Sequence, residues 1–335
     1  MSAAARLRLD GDALVANWRW LNAQSGAAAC GAAVKADGYG LGARDVVARL
    51  ARAGCRDFFV ATWDEVIALG ALPEGCALSV LHGVRAEDMA IAVASAARPV
   101  LNTPAQVVRW RETGRRCDVM IDTGMNRLGL SPSDDLSELR IDTLMSHLAC
   151  ADEDSPMNGT QRAAFSALTV PAKRRSLANS AGICLGHDYA FDLTRPGLAL
   201  YGGIPRGEAV GHIRQVAHIE AQIVQRRTVR AGESVGYGAT FVAPADTDVA
   251  VLNIGYADGY RRAFAGTGTA GDGRFAVIGR VSMDLLAVDV SREPAIAEGD
   301  WVSVNYDLSA ASIATGVSQY ELLTGLGARF ERVWA

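Results

Sequence analysis

Through the first two thirds of the chain, short apolar runs alternate with stretches whose apolar residues recur every three or four positions. The runs are AACGAAV (28–34), DFFVAT (57–62), ALSVLH (77–82), RPVLN (98–102), CDVMID (117–122), DTLMSHLA (142–149), RRSLANS (174–180) and LTRPGLALYG (193–202). Runs of this length, bounded by polar and glycine residues, read as strands. Between them ARDVVARLARAG, WDEVIALGAL, RAEDMAIAVASAA and TPAQVVRWRETG carry helical spacing, and Thr103-Pro104 reads as an N-cap followed by proline at the first helical position. Eight alternations predict an α/β fold, a (β/α)8 barrel of the TIM type, with a doubly wound open sheet as the competing architecture.

After about residue 210 the pattern changes. Short apolar runs follow one another between Gly and Asp turns, as in TDVAVLNIGYADGY, FAVIGRVSMDLLAVDVS and GDWVSVN, and helical spacing nearly disappears. This predicts a C-terminal all-β domain. The expected division is a barrel over residues 1–212 and a β-domain over 213–335. The opening ARLRLD, about the first eight residues, is a candidate strand of the second domain.

Composition narrows the function classes. The 335 residues carry a net charge of −4, with no basic stripe, which argues against nucleic acid as a partner. No apolar stretch approaches the ~20 residues of a membrane-spanning helix. The N-terminus lacks the apolar core of a signal peptide, so a cytoplasmic location is expected. Six cysteines are scattered without CxxC pairs, and five histidines show no HExxH or i,i+4 pair. Free buried thiols and no metal site are expected.

Against this background one residue stands out. Of 33 Lys plus Arg, only Lys35 and Lys173 are lysines. Lys35 ends the first strand, in CGAAVKADGYGLGA, and the carboxyl ends of barrel strands face the active site. A primary amine forms a Schiff base with a carbonyl, whereas a guanidinium does not. The alternative is an ordinary exposed lysine at a strand end. The neighbours favour chemistry. Arg195 ends the eighth strand, where barrels often bind phosphate, and Gly197 lets backbone N–H groups approach an oxyanion. Ser180 offers a hydroxyl at the end of strand seven, and His147 ends strand six, where a satisfied half-buried histidine is the competing role. Together these features describe a covalently held, phosphate-bearing aldehyde and fit pyridoxal phosphate.

The motifs AVKADGYGLGA, DTGMNRLG, ANSAG, RPGLALYG, VGYGATF, IGYADGY, GRVSMD and SQYELLTGLGARF, in this order over essentially the whole length, resemble the blocks of bacterial alanine racemases, fold-type III pyridoxal-phosphate enzymes. The resemblance implies a barrel followed by a β-domain, assembled as a head-to-tail homodimer whose sites are completed by the partner, acting on alanine to supply D-alanine for peptidoglycan. It implies that Lys35 carries the cofactor. Tyr39, Ser180, Tyr320 and the N–H groups of Gly197 and Leu198 would hold its phosphate. Arg195 would face the pyridine nitrogen, with His147 behind the ring. Arg127 and the Met283 N–H would bind the substrate carboxylate, Tyr237 would be the second base and Tyr256 would line the entrance. Many family members carry a carbamylated lysine seven positions before that arginine. Here the position is Met120, which leaves open what orients Arg127. A racemase of broader specificity and a decarboxylase on the related architecture are the competing enzyme classes.

Overall fold

The structure, a computed structural model, describes residues 4–335. By its internal contacts the chain forms two compact units, Ala13–Arg214 and a second that joins the described residues up to Asp12 with Gln215–Ala335.

In the first unit seven strands follow in order, each parallel to the next: Ala32–Ala33, Asp57–Val60, Ala77–Val80, Arg98–Leu101, Arg116–Met120, Arg140–Met145 and Arg174–Ser176. Ala29–Cys30, separated from the first of these by Gly31, pairs in parallel with the eighth strand, Leu193–Thr194. Seventh and eighth strands are joined by Asp192 N–H donating to Arg175 O (3.0 Å) and Arg195 N–H to Ala178 O (2.8 Å). The ring is therefore closed, as a (β/α)8 barrel requires. Helices Ala43–Ala53, Trp63–Leu69, Met89–Ala94 and Pro104–Arg111 occupy the segments with helical spacing. The Thr103 side chain accepts from Gln106 N–H with Pro104 behind it, the capping arrangement the sequence predicts.

The strands are shorter than their apolar runs. His147 lies beyond the end of strand six at Met145. Ser180, expected as the last residue of strand seven, opens a helix, Ser180–Cys184, because the Asn179 side chain caps Gly182 N–H. After Thr194 the chain leaves the eighth strand and turns through a short 3-10 helix, Leu198–Tyr201. Each shift moves side chains from the barrel wall into the loops above it, where backbone N–H groups are available.

The second unit is built on the 13-residue strand Ala217–Val229. Its first half pairs antiparallel with Ala5–Leu9 and with Trp301–Val304, and its second half pairs with Thr247–Leu252 after a bulge near Ile223. Alternating apolar residues of this strand and its neighbours, Ile219, Ala221, Ile223, Val249 and Leu252 among them, are buried. Two helices that alternation did not predict, Leu308–Thr315 and Gln319–Thr324, start at side-chain caps from Asp307 and Ser318. Among the described residues no helix is long and apolar enough to cross a membrane.

Candidate functional site

Lys35 sits where strand one stops, half-buried, at the start of a left-handed turn. Ala36, Asp37, Gly38 and Tyr39 all have positive φ, between 51° and 64°. L-residues in this region cost ~1–2 kcal/mol each, so neighbouring groups must hold them there. They do: Glu65 accepts from Ala36 N–H (2.5 Å) and from Ala61 N–H (2.6 Å), and Asp37 accepts from Ala43 N–H (2.8 Å). The same Glu65 closes the capping box of helix Trp63–Leu69. It therefore ties the Lys35 turn to the end of strand two.

The turn delivers Tyr39 inward. Its ring stacks on Tyr201 at 4.6 Å between centroids, and the Tyr201 hydroxyl donates to Ala33 O (2.8 Å). The Tyr39 hydroxyl reaches Gly197 so closely that a Cβ there would lie 2.2 Å from it. Only glycine admits this approach. Ser180 Oγ accepts from Gly197 N–H (2.9 Å) and Ala199 N–H (3.2 Å). Tyr39, Ser180 and the first N–H groups of Leu198–Tyr201 thus form one polar cradle, at a helical start whose N–H groups lack intrahelical acceptors.

Near it, Arg195, Arg127 and Lys35 bring their charges to bear on the His147 ring. Arg195 is buried, donates to Ser176 Oγ (2.5 Å) and Ser146 O (2.8 Å), and pairs with no carboxylate among the described residues. Burial pushes its pKa down to about 10, so it stays charged at neutral pH. Burial, then the charges of Arg195, Arg127 and Lys35, push His147 down to about 3, which keeps its ring neutral. Burial, reinforced by Arg127 and opposed by Glu65, also lowers the Lys35 amine. The other lysine behaves differently: Lys173 is exposed and paired with Asp142.

Arg127 is exposed and, among the described residues, makes no hydrogen bond or ion pair. Met120, buried in its strand, offers it none. Its loop is held instead. Asp122 accepts from Gly124 and Met125 N–H (2.8 Å each), Ile121 bridges to Leu130, and Leu130 N–H donates to Met120 O (2.8 Å). Thr123 and Ser146 hydroxyls meet at 2.7 Å. Buried Gln161 donates to Thr123 Oγ1 (3.4 Å) and His147 O (3.0 Å) and accepts from Ala149 N–H (2.9 Å). The backbone of this loop, rather than a side-chain partner, sets where Arg127 starts.

The remaining candidates belong to the second unit. Tyr237 is 67% exposed at the tip of the hairpin that joins Ser234–Val235 to Phe241–Val242. The Arg280 guanidinium packs against Gly238 beside it, where an added Cβ would lie 3.2 Å away. Half-buried Tyr256 lies under Arg262, 5.2 Å from the ring centre. Ser282 O and Met283 O accept from Tyr256 N–H and Ala257 N–H (3.0 Å each), which joins the Met283 and Tyr256 loops. That contact is close enough to require Gly255, whose Cβ would meet Met283 O at 2.3 Å. Met283 and Tyr320 are exposed, at 53% and 43%.

The structure thus brings Lys35, Tyr39, Arg127, His147, Ser180, Arg195, Gly197 and Leu198 together in one unit, and Tyr256 with Met283 in the other. Residues the sequence reading missed are Glu65, Ser146, Ser176, Gln161, Tyr201 and Arg280. Of these, Ser146, next to His147, Tyr201, within RPGLALYG, and Arg280, within GRVSMD, carried a signal by position. A half-buried amine, a cradle closed to any Cβ and a buried guanidinium without a carboxylate match the donor set that a phosphorylated pyridine aldehyde needs.

The chain matches the family model described as alanine racemase, N-terminal domain, over residues 9–205, and that described as alanine racemase, C-terminal domain, over residues 216–334. It is 44% identical to an alanine racemase of Rhodospirillum rubrum, covering 98% of this chain and 96% of the relative. It is 40% identical to a biosynthetic alanine racemase of Agrobacterium fabrum, covering 98% and 93%. Among solved structures, the alanine racemase of Bartonella henselae with covalently bound pyridoxal phosphate superposes with a TM-score of 0.90 at 34% identity, covering both chains completely. The biosynthetic enzyme of Pseudomonas aeruginosa gives 0.88 at 33%, also over both full chains.

Proposed function

The chain belongs to the alanine racemase family, and from that premise we propose how its residues divide the work of interconverting L- and D-alanine. Pyridoxal phosphate, when bound, supplies a carbonyl carbon for an amine and a conjugated ring that acidifies the Cα–H bond of an attached amino acid. The observation that carries the assignment is the half-buried Lys35 amine beside the Tyr39–Ser180–Gly197 cradle.

In this reading Lys35 holds the cofactor, then takes or returns the Cα proton on one face. Its lowered pKa suits that role, since a neutral amine is the form that attacks a carbonyl and accepts a proton. Tyr39, Ser180, Tyr320 and the N–H groups of Gly197 and Leu198 hold the phosphate. Arg195 stands at the pyridine nitrogen, anchored by Ser176 and Ser146. A guanidinium does not readily give up its proton, so Arg195 would donate a hydrogen bond to a bound ring nitrogen without protonating it. Neutral His147 packs behind it without adding charge.

Arg127 binds the substrate carboxylate, with the Met283 N–H of the partner subunit. Tyr237 of the partner subunit serves the opposite face, and Tyr256 lines the entrance. Two bases on opposite faces explain inversion without the substrate turning over. A homodimer is therefore part of the proposal, with a cytoplasmic location and a biosynthetic role in supplying D-alanine.

Incubation of L-alanine in D2O tests the reading. The expected result is D-alanine formation with deuterium entering Cα of the product. Cofactor-loaded protein that releases neither D-alanine nor Cα-deuterated alanine overturns it, and a panel of amino acids measures its breadth.

A further inference from the structure

At the opposite end of the barrel from the Lys35 cradle, the amino ends of three adjacent strands carry arginine: Arg98 opens Arg98–Leu101, Arg116 opens Arg116–Met120 and Arg140 opens Arg140–Met145. With Arg115 they line a cleft of about 330 Å³ whose other walls are Ala96, Ala97 and Gly114. No carboxylate lines it.

The charges around this cleft do not balance. Asp118, buried beneath it, accepts from Ser79 Oγ (2.6 Å), Thr143 N–H (2.9 Å) and Arg98 Nε (3.3 Å). Asp142 pairs with Arg98, Arg116, Lys173 and Arg174, and Asp57 with Arg174. Counting Arg115 and Arg140, six cationic side chains face three carboxylates, in a chain whose overall charge is −4. Burial pushes the Asp118 carboxyl up, and the Arg98 charge and the Ser79 hydroxyl oppose that shift. Arg115 and Arg140 have no carboxylate partner among the described residues. Each is held by a backbone carbonyl instead, Arg115 by Ser95 O (2.6 Å) and Arg140 by Gly114 O (3.4 Å).

We propose that this cleft is a binding site for a diphosphate group. A guanidinium fork pairs with two oxygens of one phosphoryl group, and Arg115 and Arg140 leave two forks without a carboxylate. Arg98 and Arg116 add positive potential while remaining tied to Asp118 and Asp142. The volume exceeds what a single orthophosphate fills and leaves one side open, so the group enters either as free pyrophosphate or as the end of a nucleoside diphosphate. The site shares no residue with the Lys35 cradle and is independent of the racemase assignment.

The test is calorimetric titration of the cofactor-loaded protein with inorganic pyrophosphate at about 150 mM chloride, where charges more than about 8 Å apart are screened. Cofactor in its own cradle keeps the probe out of that site. The expected result is saturable binding at one pyrophosphate per chain, weakened tenfold or more in Arg115→Gln/Arg140→Gln, with folding and racemase activity unchanged because both side chains are exposed. Each single substitution, measured alongside, gives a smaller loss. Titration with ADP separates the sources: tighter binding than pyrophosphate identifies a nucleoside diphosphate, and weaker binding the free anion. No saturable binding, equal affinity in the double variant, or orthophosphate binding as tightly as pyrophosphate overturns the proposal.

Discussion

Gly197 shows how a single atom decides the site. Any side chain there strikes the Tyr39 hydroxyl, with a Cβ at 2.2 Å, and both residues belong to the cradle assigned to the phosphate. Gly197→Ala is therefore expected to weaken cofactor binding by at least tenfold, about 1.4 kcal/mol. Adding Tyr39→Phe, which removes the hydroxyl, should recover part of that loss; equilibrium dialysis of cofactor measures both. A double variant no better than Gly197→Ala would contradict the clash. His147 makes a second prediction. Its folded pKa of about 3 lies below its ordinary value of ~6.5, so the unfolded chain gains a proton before the folded one does. Stability from this residue is intact above pH ~6.5 and falls as pH drops toward 3, with a slope of up to about 1.4 kcal/mol per pH unit for one proton. Denaturant titrations between pH 7 and 4 should show wild type losing stability more steeply than His147→Gln. Equal slopes would contradict a neutral His147. Lys35 was legible because the chain otherwise uses arginine, and its half-buried setting, with no ion pair among the described residues, contrasts with exposed Lys173, which pairs with Asp142.

At the scale of elements, alternation of apolar runs and helical spacing made the barrel legible, because each buried strand needs a continuous apolar face. The ends of those strands were less legible. Ser180 and His147 lie past the ends of their strands, where capping and loop hydrogen bonds rather than periodicity set the backbone. Helices Leu308–Thr315 and Gln319–Thr324 were missed because their starts depend on the Asp307 and Ser318 caps, while ASIATGVSQY shows little amphipathic spacing. Glu65 and Gln161 escaped for a related reason. Each joins two loops through backbone groups distant in sequence, and nothing in their own segments announces it. Gln161→Leu leaves Ala149 N–H and the Thr123–Ser146 pair without their buried partner. It should cost about 1–3 kcal/mol of stability. If the Thr123 loop positions Arg127, it should also raise the KM for alanine more than it lowers kcat. Steady-state kinetics beside urea unfolding checks this; lost stability with KM unchanged would make Gln161 structural only.

For the whole molecule, the proposed site is a joint product of two chains. Lys35 lies in Ala13–Arg214, whereas Tyr237, Met283 and Tyr256 lie in the unit completed by Gln215–Ala335. Tyr237 is two-thirds exposed on its hairpin tip, where its ring is open to a partner chain. A two-fold assembly would place two such tips over two barrels. The most direct test mixes two inactive proteins, Lys35→Ala and Tyr237→Phe, under conditions that exchange subunits. In a mixed dimer one site inherits both substitutions and the other inherits neither. Random pairing at equal concentrations should then restore about a quarter of wild-type racemase activity. A mixture no more active than its separate components, with mixed dimers shown to form, would contradict the division of the two bases between subunits.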